Sequence, residues 1–175
     1  MNSNGKPPGS FGTAAYGGEN WSQRDASHAE EIGGIWASCG IDSEWRNLKS
    51  VLLHCPGEEL NAAQDDHESV NMLDAVDLAR AREEHAAMVE AFRAVQIEVH
   101  FVEPDLPCQP NQMFCADLFV MTPQGAILAR PASTVRAGEE RWVARKLAAL
   151  GIPLLATLTG NASFEGADLM WIDET

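Results

Sequence analysis

The sequence predicts an α/β fold, and three observations predict it. Short apolar runs bounded by Gly or Pro alternate with longer amphipathic stretches, the two kinds follow one another in a fixed order, and that order recurs. SVLLHC, closed by Pro56 and Gly57, reads as a buried strand. Residues 74–96 read as a helix: Leu78, His85, Met88, Val89 and Phe92 fall near one face, charges cover the other, and Asp74 or Asp77 can cap the start. IEVHFV alternates as a strand, with Ile97, Val99 and Phe101 on one face.

The second unit repeats the first. DLFVMT and GAILA are two strands joined through Pro123 to Gly125, GEERWVARKLAALG is a helix with Trp142, Val143, Leu147 and Leu150 inward, and IPLLAT is another strand. LMWI begins a third unit. Between the units EPDLPCQP is too proline-rich for helix and is suited to deliver Asn111 into a site.

Residues 1–25 are rich in Gly, Ser, Asn and Pro and poor in large apolar groups. They cannot offset their own ordering entropy, so they are expected to form a flexible tail, with the folded domain over 26–175. Trp36 and Trp45 are expected to dock on the core.

With 12 basic and 26 acidic residues among 175, the net charge is −14. Such a surface repels phosphate backbones and anionic lipids, which excludes nucleic acid and membrane surfaces as partners. No apolar run has the length of a membrane span, and the first residues lack a basic region followed by an apolar core. The four cysteines, Cys39, Cys55, Cys108 and Cys115, show no paired spacing, so a reduced, cytoplasmic protein is expected. Nothing matches a phosphate loop, a dinucleotide fingerprint or a metal-ligand spacing, and neither cofactor nor metal is expected.

Chemistry concentrates in residues 111–165. Carboxylates (Asp117, Glu139, Glu165) and arginines (Arg130, Arg136) stand at the ends of apolar runs, next to Gly or Pro turns. A carboxylate fixed there can hold a planar cation by charge-assisted, two-point hydrogen bonds. The same acids can instead pair with Arg130 and Arg136 and lock the loops. Cys115, two residues before Asp117, would share its strand face and is expected to be a packed thiol. His54 and His100 lie in apolar strands and read as core or interface histidines.

Three segments, PNQMFCAD, ILARPASTVRAGEE and FEGAD, together resemble the guanidine-modifying superfamily of arginine deiminases, dimethylarginine dimethylaminohydrolases and amidinotransferases. The resemblance implies a five-bladed α/β propeller, the pentein fold, of which this chain would supply about two blades and the start of a third. It implies an amidinohydrolase or amidinotransferase acting on an arginine-like guanidino substrate through a covalent cysteine intermediate, without metal or organic cofactor. Asp117 and Glu165 resemble the two acids that hold the guanidinium. Asn111, Phe114, Arg136 and Asp168 match substrate-binding positions, Arg136 as a grip for a carboxylate. Ala116 replaces an Arg or Glu of better-known relatives, and Ala167 a Gly.

The nucleophilic cysteine and the acid–base histidine belong to the second half of the family fold. No histidine or cysteine here matches them, so the chain alone is expected to be inactive and to need a complementary C-terminal chain. The other possibility is a non-catalytic guanidino-binding or partner-binding remnant. Glu139, placed at a helix start, is expected to matter little to turnover.

Overall fold

A computed structural model describes residues 22–172. The expected tail lies outside this range except for its last few residues, where Arg24 already forks onto the buried carboxylate of Glu31. Glu31 ends the short helix α1 (His28–Glu31), whose start is fixed by a capping box between Ser27 and Glu30.

The first unit is strand, helix, strand. β1 (Ser50–Leu53) pairs in parallel with β2 (Glu98–Phe101), with Leu52 opposite His100. Parallel pairing requires a crossover, which contains the short helix α2 (Ala62–Asp65) and the long helix α3 (Leu78–Ala94). Asp77 is the cap of α3, its carboxylate accepting from the Arg80 amide at 3.1 Å. The helix ends where Gln96 takes a left-handed φ of 62°. Val89 is buried and Leu78, His85 and Phe92 are half-buried, but Met88 is exposed, because α3 rests on its sheet along a narrower stripe than the sequence face suggests.

The second unit has one strand more. β3 (Phe119–Thr122) and β4 (Gly125–Leu128) form an antiparallel hairpin, and β5 (Leu154–Thr157) adds parallel to β4 after helix α4 (Glu140–Ala149). The core lies under α4, where Trp142, Val143 and Leu147 pack on Val102, Cys115, Leu118, Ala126 and Leu128. Apolar spacing along α4 puts these three side chains on one stripe, and each large core side chain buried there contributes about 1.5–3 kcal/mol.

Two sequence expectations fail locally. LMWI forms no strand: residues 169–172 have no ladder partner among the described residues, and Leu169, Met170 and Ile172 are exposed. Trp36 is partly covered and packs against His28, whereas Trp45 is exposed. No described helix is long and apolar enough to cross a membrane.

Candidate functional site

Two turns of 3-10 helix, residues 110–113 and 115–117, lead into β3. Asp117 therefore sits on a turn and not on a strand, so the alternation that would place Cys115 and Asp117 on one face does not operate. Cys115 turns inward, buried at 4% exposure, with its thiol donating to the Gln112 carbonyl oxygen at 3.4 Å. Burial pushes that thiol up to about 12, with Glu139 adding to the rise, which leaves no thiolate near neutral pH.

Asp117 faces Arg136, which comes from a third such turn, residues 134–136, after β4. Its Nη1 donates to Asp117 Oδ2 at 2.6 Å, and its Nε donates to Glu139 Oε2 at 2.9 Å. Nη2 reaches the Phe114 carbonyl oxygen at 3.4 Å, and Glu165 Oε2 stands 3.8 Å from Nη1. The guanidinium lies 6.0 Å from the centre of the Phe114 ring. Burial works against the Arg136 charge, but Asp117 and Glu139 outweigh it and hold the guanidinium above its usual pKa.

Glu139 stands at the start of α4, as the sequence suggests, yet it is enclosed at 1% exposure. Gly138, with φ at 91°, makes the left-handed step that turns Glu139 back under Arg136. Burial raises the Glu139 carboxyl to about 7 against the opposing pull of Arg136, and its Oε1 has no partner among the described residues.

Glu165 reaches the cluster because the turn at residues 166–168 presses on the turn before β3. A Cβ on Gly166 would overlap the carbonyl oxygens of Phe119 and Ala116, so only glycine permits the approach. Asp168 and Glu165 clasp each other: the Glu165 amide donates to Asp168 Oδ2 at 3.4 Å, and the Asp168 amide donates to the Glu165 carbonyl oxygen at 3.0 Å. The Arg130–Phe164 bridge ties the segment to the end of β4.

Of the residues expected at the site, Asp117, Glu165, Phe114 and Arg136 converge, and Asp168 stands behind Glu165. Asn111 is buried and turned away, with its Nδ2 donating to the Val70 carbonyl oxygen at 2.8 Å. The Arg136 guanidinium is enclosed by acids, which leaves it poorly placed to grip a substrate carboxylate directly. Asp117 and Glu165 keep 21% and 32% of their side chains exposed, and the Phe114 ring is open to solvent. Three carboxylates around one guanidinium leave net negative charge facing that opening.

A second cluster was not legible in the sequence. His54 donates from Nδ1 to the Val102 carbonyl oxygen at 2.9 Å, and its Nε2 lies 3.3 Å from Glu59 Oε1 and 3.9 Å from Cys108 Sγ. Glu139 acts electrostatically on both His54 and Cys108, so the two clusters are neighbours.

The model for the eukaryotic N,N-dimethylarginine dimethylhydrolase family matches residues 57–175. Among solved structures, the chain is 23% identical, with TM-score 0.57, to a dimethylarginine dimethylaminohydrolase adduct with S-methyl-L-thiocitrulline, over 70% of this chain and 46% of that one. It is 21% identical, with TM-score 0.59, to the enzyme from Pseudomonas aeruginosa complexed with citrulline, over 70% and 46%. Against the N-terminal domain of a cyanobacterial arginine dihydrolase bound to substrate, it is 19% identical with TM-score 0.56, over 67% and 42%. The chain thus spans less than half the length of these structures. No curated protein sequence matches it. On the family match over most of its length, and on a fold shared with these hydrolases, the chain belongs to the dimethylarginine dimethylaminohydrolase family of the guanidine-modifying superfamily.

Proposed function

We propose that this chain is the N-terminal portion of a guanidino hydrolase acting on an arginine-type substrate, and that Asp117 and Glu165 hold the substrate guanidinium. One observation carries the reading: Asp117, Glu139 and Glu165 converge on a single guanidinium, that of Arg136, while Asp117 and Glu165 alone of the three remain open to solvent. One arginine cannot neutralise three acids. The remaining charge, next to an exposed aromatic ring, suits a second flat cation.

In this reading Phe114 is a wall for the flat group and Asp168 keeps Glu165 in place. Arg136 sets the direction of the Asp117 carboxylate, and Asn111 anchors the 110–113 turn against the 68–70 turn. The chain contributes about two propeller blades and the start of a third. The nucleophilic cysteine and the histidine come from the part of the family fold beyond this chain, on a continuing or complementary polypeptide. The thiolate attacks the guanidinium carbon, the histidine protonates the departing amine, and water releases the amidino group from sulfur. The two acids hold the carbon in line for attack and keep the group cationic. The exposed residues of β5 and the strip at 169–172 fit a surface that the rest of the fold covers. Four free cysteines accord with a reducing, cytoplasmic setting.

The test is Asp117→Asn and Glu165→Gln in the complete enzyme, with citrulline formation from arginine and from dimethylarginine as the readout. Each variant loses a charge-assisted hydrogen bond worth about 2–5 kcal/mol, so kcat/KM falls by roughly 30-fold or more while circular dichroism stays unchanged. Wild-type turnover in either variant would remove Asp117 or Glu165 from the site.

A further inference from the structure

We propose that His54, Glu59 and Cys108 form a binding site for one divalent cation of borderline softness, and that zinc fits it best. The site is separate from the guanidinium site and does not depend on the reading given to it. Its three donor atoms, His54 Nε2, a Glu59 carboxylate oxygen and Cys108 Sγ, all lie within 4.8 Å of one another.

Three features distinguish this cluster from a chance meeting of polar groups. The first is the histidine's orientation. Nδ1 is taken by the Val102 carbonyl oxygen, which sets that nitrogen as the donor, so the neutral ring presents its Nε2 lone pair to the other two groups. This outer hydrogen bond to a backbone carbonyl is the arrangement that orients metal-ligating histidines. The second is spacing. Tetrahedral zinc, with bonds of about 2.0–2.3 Å, holds its ligand atoms roughly 3.4–3.6 Å apart. The observed separations from Nε2, 3.3 Å to Glu59 and 3.9 Å to Cys108, bracket those values. The third is charge. A neutral imidazole, a carboxylate and a thiolate together balance one divalent ion, so the bound site is neutral, as a largely enclosed site requires.

The alternative occupant of the same space is a proton shared between His54 and Glu59. Although burial opposes the charge on His54, Glu59 and the Val102 carbonyl raise its affinity for a proton, and burial with the charge of Glu59 pushes the Cys108 thiol up to about 11. A divalent ion reverses that preference by stabilising the thiolate it binds, and its uptake expels the protons of Cys108 and His54 to solvent. A shared proton gives the sulfur no role.

The fold explains why these residues meet. Parallel pairing of β1 with β2, continued by the Val102 amide donating to the Leu53 carbonyl oxygen at 2.8 Å, sets His54 beside Val102. The turn after Gly57 brings Glu59 back, its Oε1 accepting from the Gly57 amide at 2.6 Å. Cys108 arrives on the proline-rich loop that leads to Asn111 and Phe114. A metal here would tie that loop to the end of β1.

The experiment uses chelator-treated full-length protein, with Zn2+ and Co2+ as probes. In the unsubstituted protein, one equivalent of zinc slows alkylation of Cys108, read by peptide mapping, by at least about 10-fold while leaving exposed Cys55 unaffected. Bound Co2+ shows a sulfur-to-cobalt charge-transfer band. Cys108→Ser abolishes that band and weakens zinc binding by at least about 100-fold, and Glu59→Gln weakens it by about 10-fold or more. Unchanged alkylation of Cys108 with zinc present would overturn the proposal without any substitution. So would equal zinc affinity in the protein and its Cys108→Ser variant, and either result would leave His54 and Glu59 as an ion pair only.

Discussion

The Arg136 and His54 clusters are neighbours built on opposite plans. Around Arg136, a permanent cation sits among three carboxylates and two of them still face solvent. Around His54, the cation is optional: a titratable ring faces one carboxylate and one thiol, and little of it is exposed. A guanidinium keeps its charge wherever it is placed, so it can fix the direction of the acids around it. An imidazole can surrender its proton, so its pocket can exchange one small cation for another. Glu139 pairs with Arg136 and adds a smaller electrostatic push to His54 and Cys108.

The most damaging way to break the comparison is to remove the fixed cation. Arg136→Met leaves Glu139 enclosed and unpaired, and is expected to cost about 3–5 kcal/mol in urea unfolding. Arg136→Lys should recover only part of this, because an ammonium cannot match the fork that spans Asp117 and Glu139. Gly166→Ala should cost about 1–3 kcal/mol by overpacking and move Glu165 away from Asp117, so the loss of guanidino turnover exceeds what instability explains.

A subtler effect separates the clusters by pH. The Glu139 carboxyl is raised by burial from 4.5 to about 7, so the folded state binds more protons than the unfolded state between those values. Its contribution is fully present below pH 4.5 and is lost as pH rises through about 7. Melting temperature should therefore fall over that window, and Glu139→Gln should flatten the fall. The smallest effect tests the thiol inside the core. Cys115→Ala should cost about 1 kcal/mol of packing and leave turnover unchanged, since a thiol raised to about 12 is no nucleophile.

The elements were legible where periodicity is local: α3 and α4, the five strands and the Asp77 cap all follow from apolar spacing and capping chemistry. Legibility ended where turns replaced strands. DLFVMT reads as strand from Asp117 onward, yet the chain stays in a 3-10 turn until Leu118, which reverses the environments of Cys115 and Asp117. Glu139 was placed correctly at the start of α4, but its enclosure was not legible, because burial is a tertiary fact. The Arg136-x-x-Glu139 spacing after a turn was its available signal. The His54 cluster had none, since Cys108 joins it from 54 residues away through the pairing of two parallel strands. Met88 and Trp45 were over-assigned to the core because apolarity alone does not say what lies opposite.

The close approach at Gly166 also orders events in time. Asp117, Arg136 and Glu139 lie within a short span and can assemble as soon as the β3–β4 hairpin and the start of α4 exist. Glu165 must wait for β5 to dock beside β4 and for residues 164–168 to fold back across the turn before β3. During synthesis the arginine is thus neutralised before the last acid arrives. The third carboxylate joins only in the final, most long-range step, so the approach of Glu165 to Arg136 reports that folding is finished.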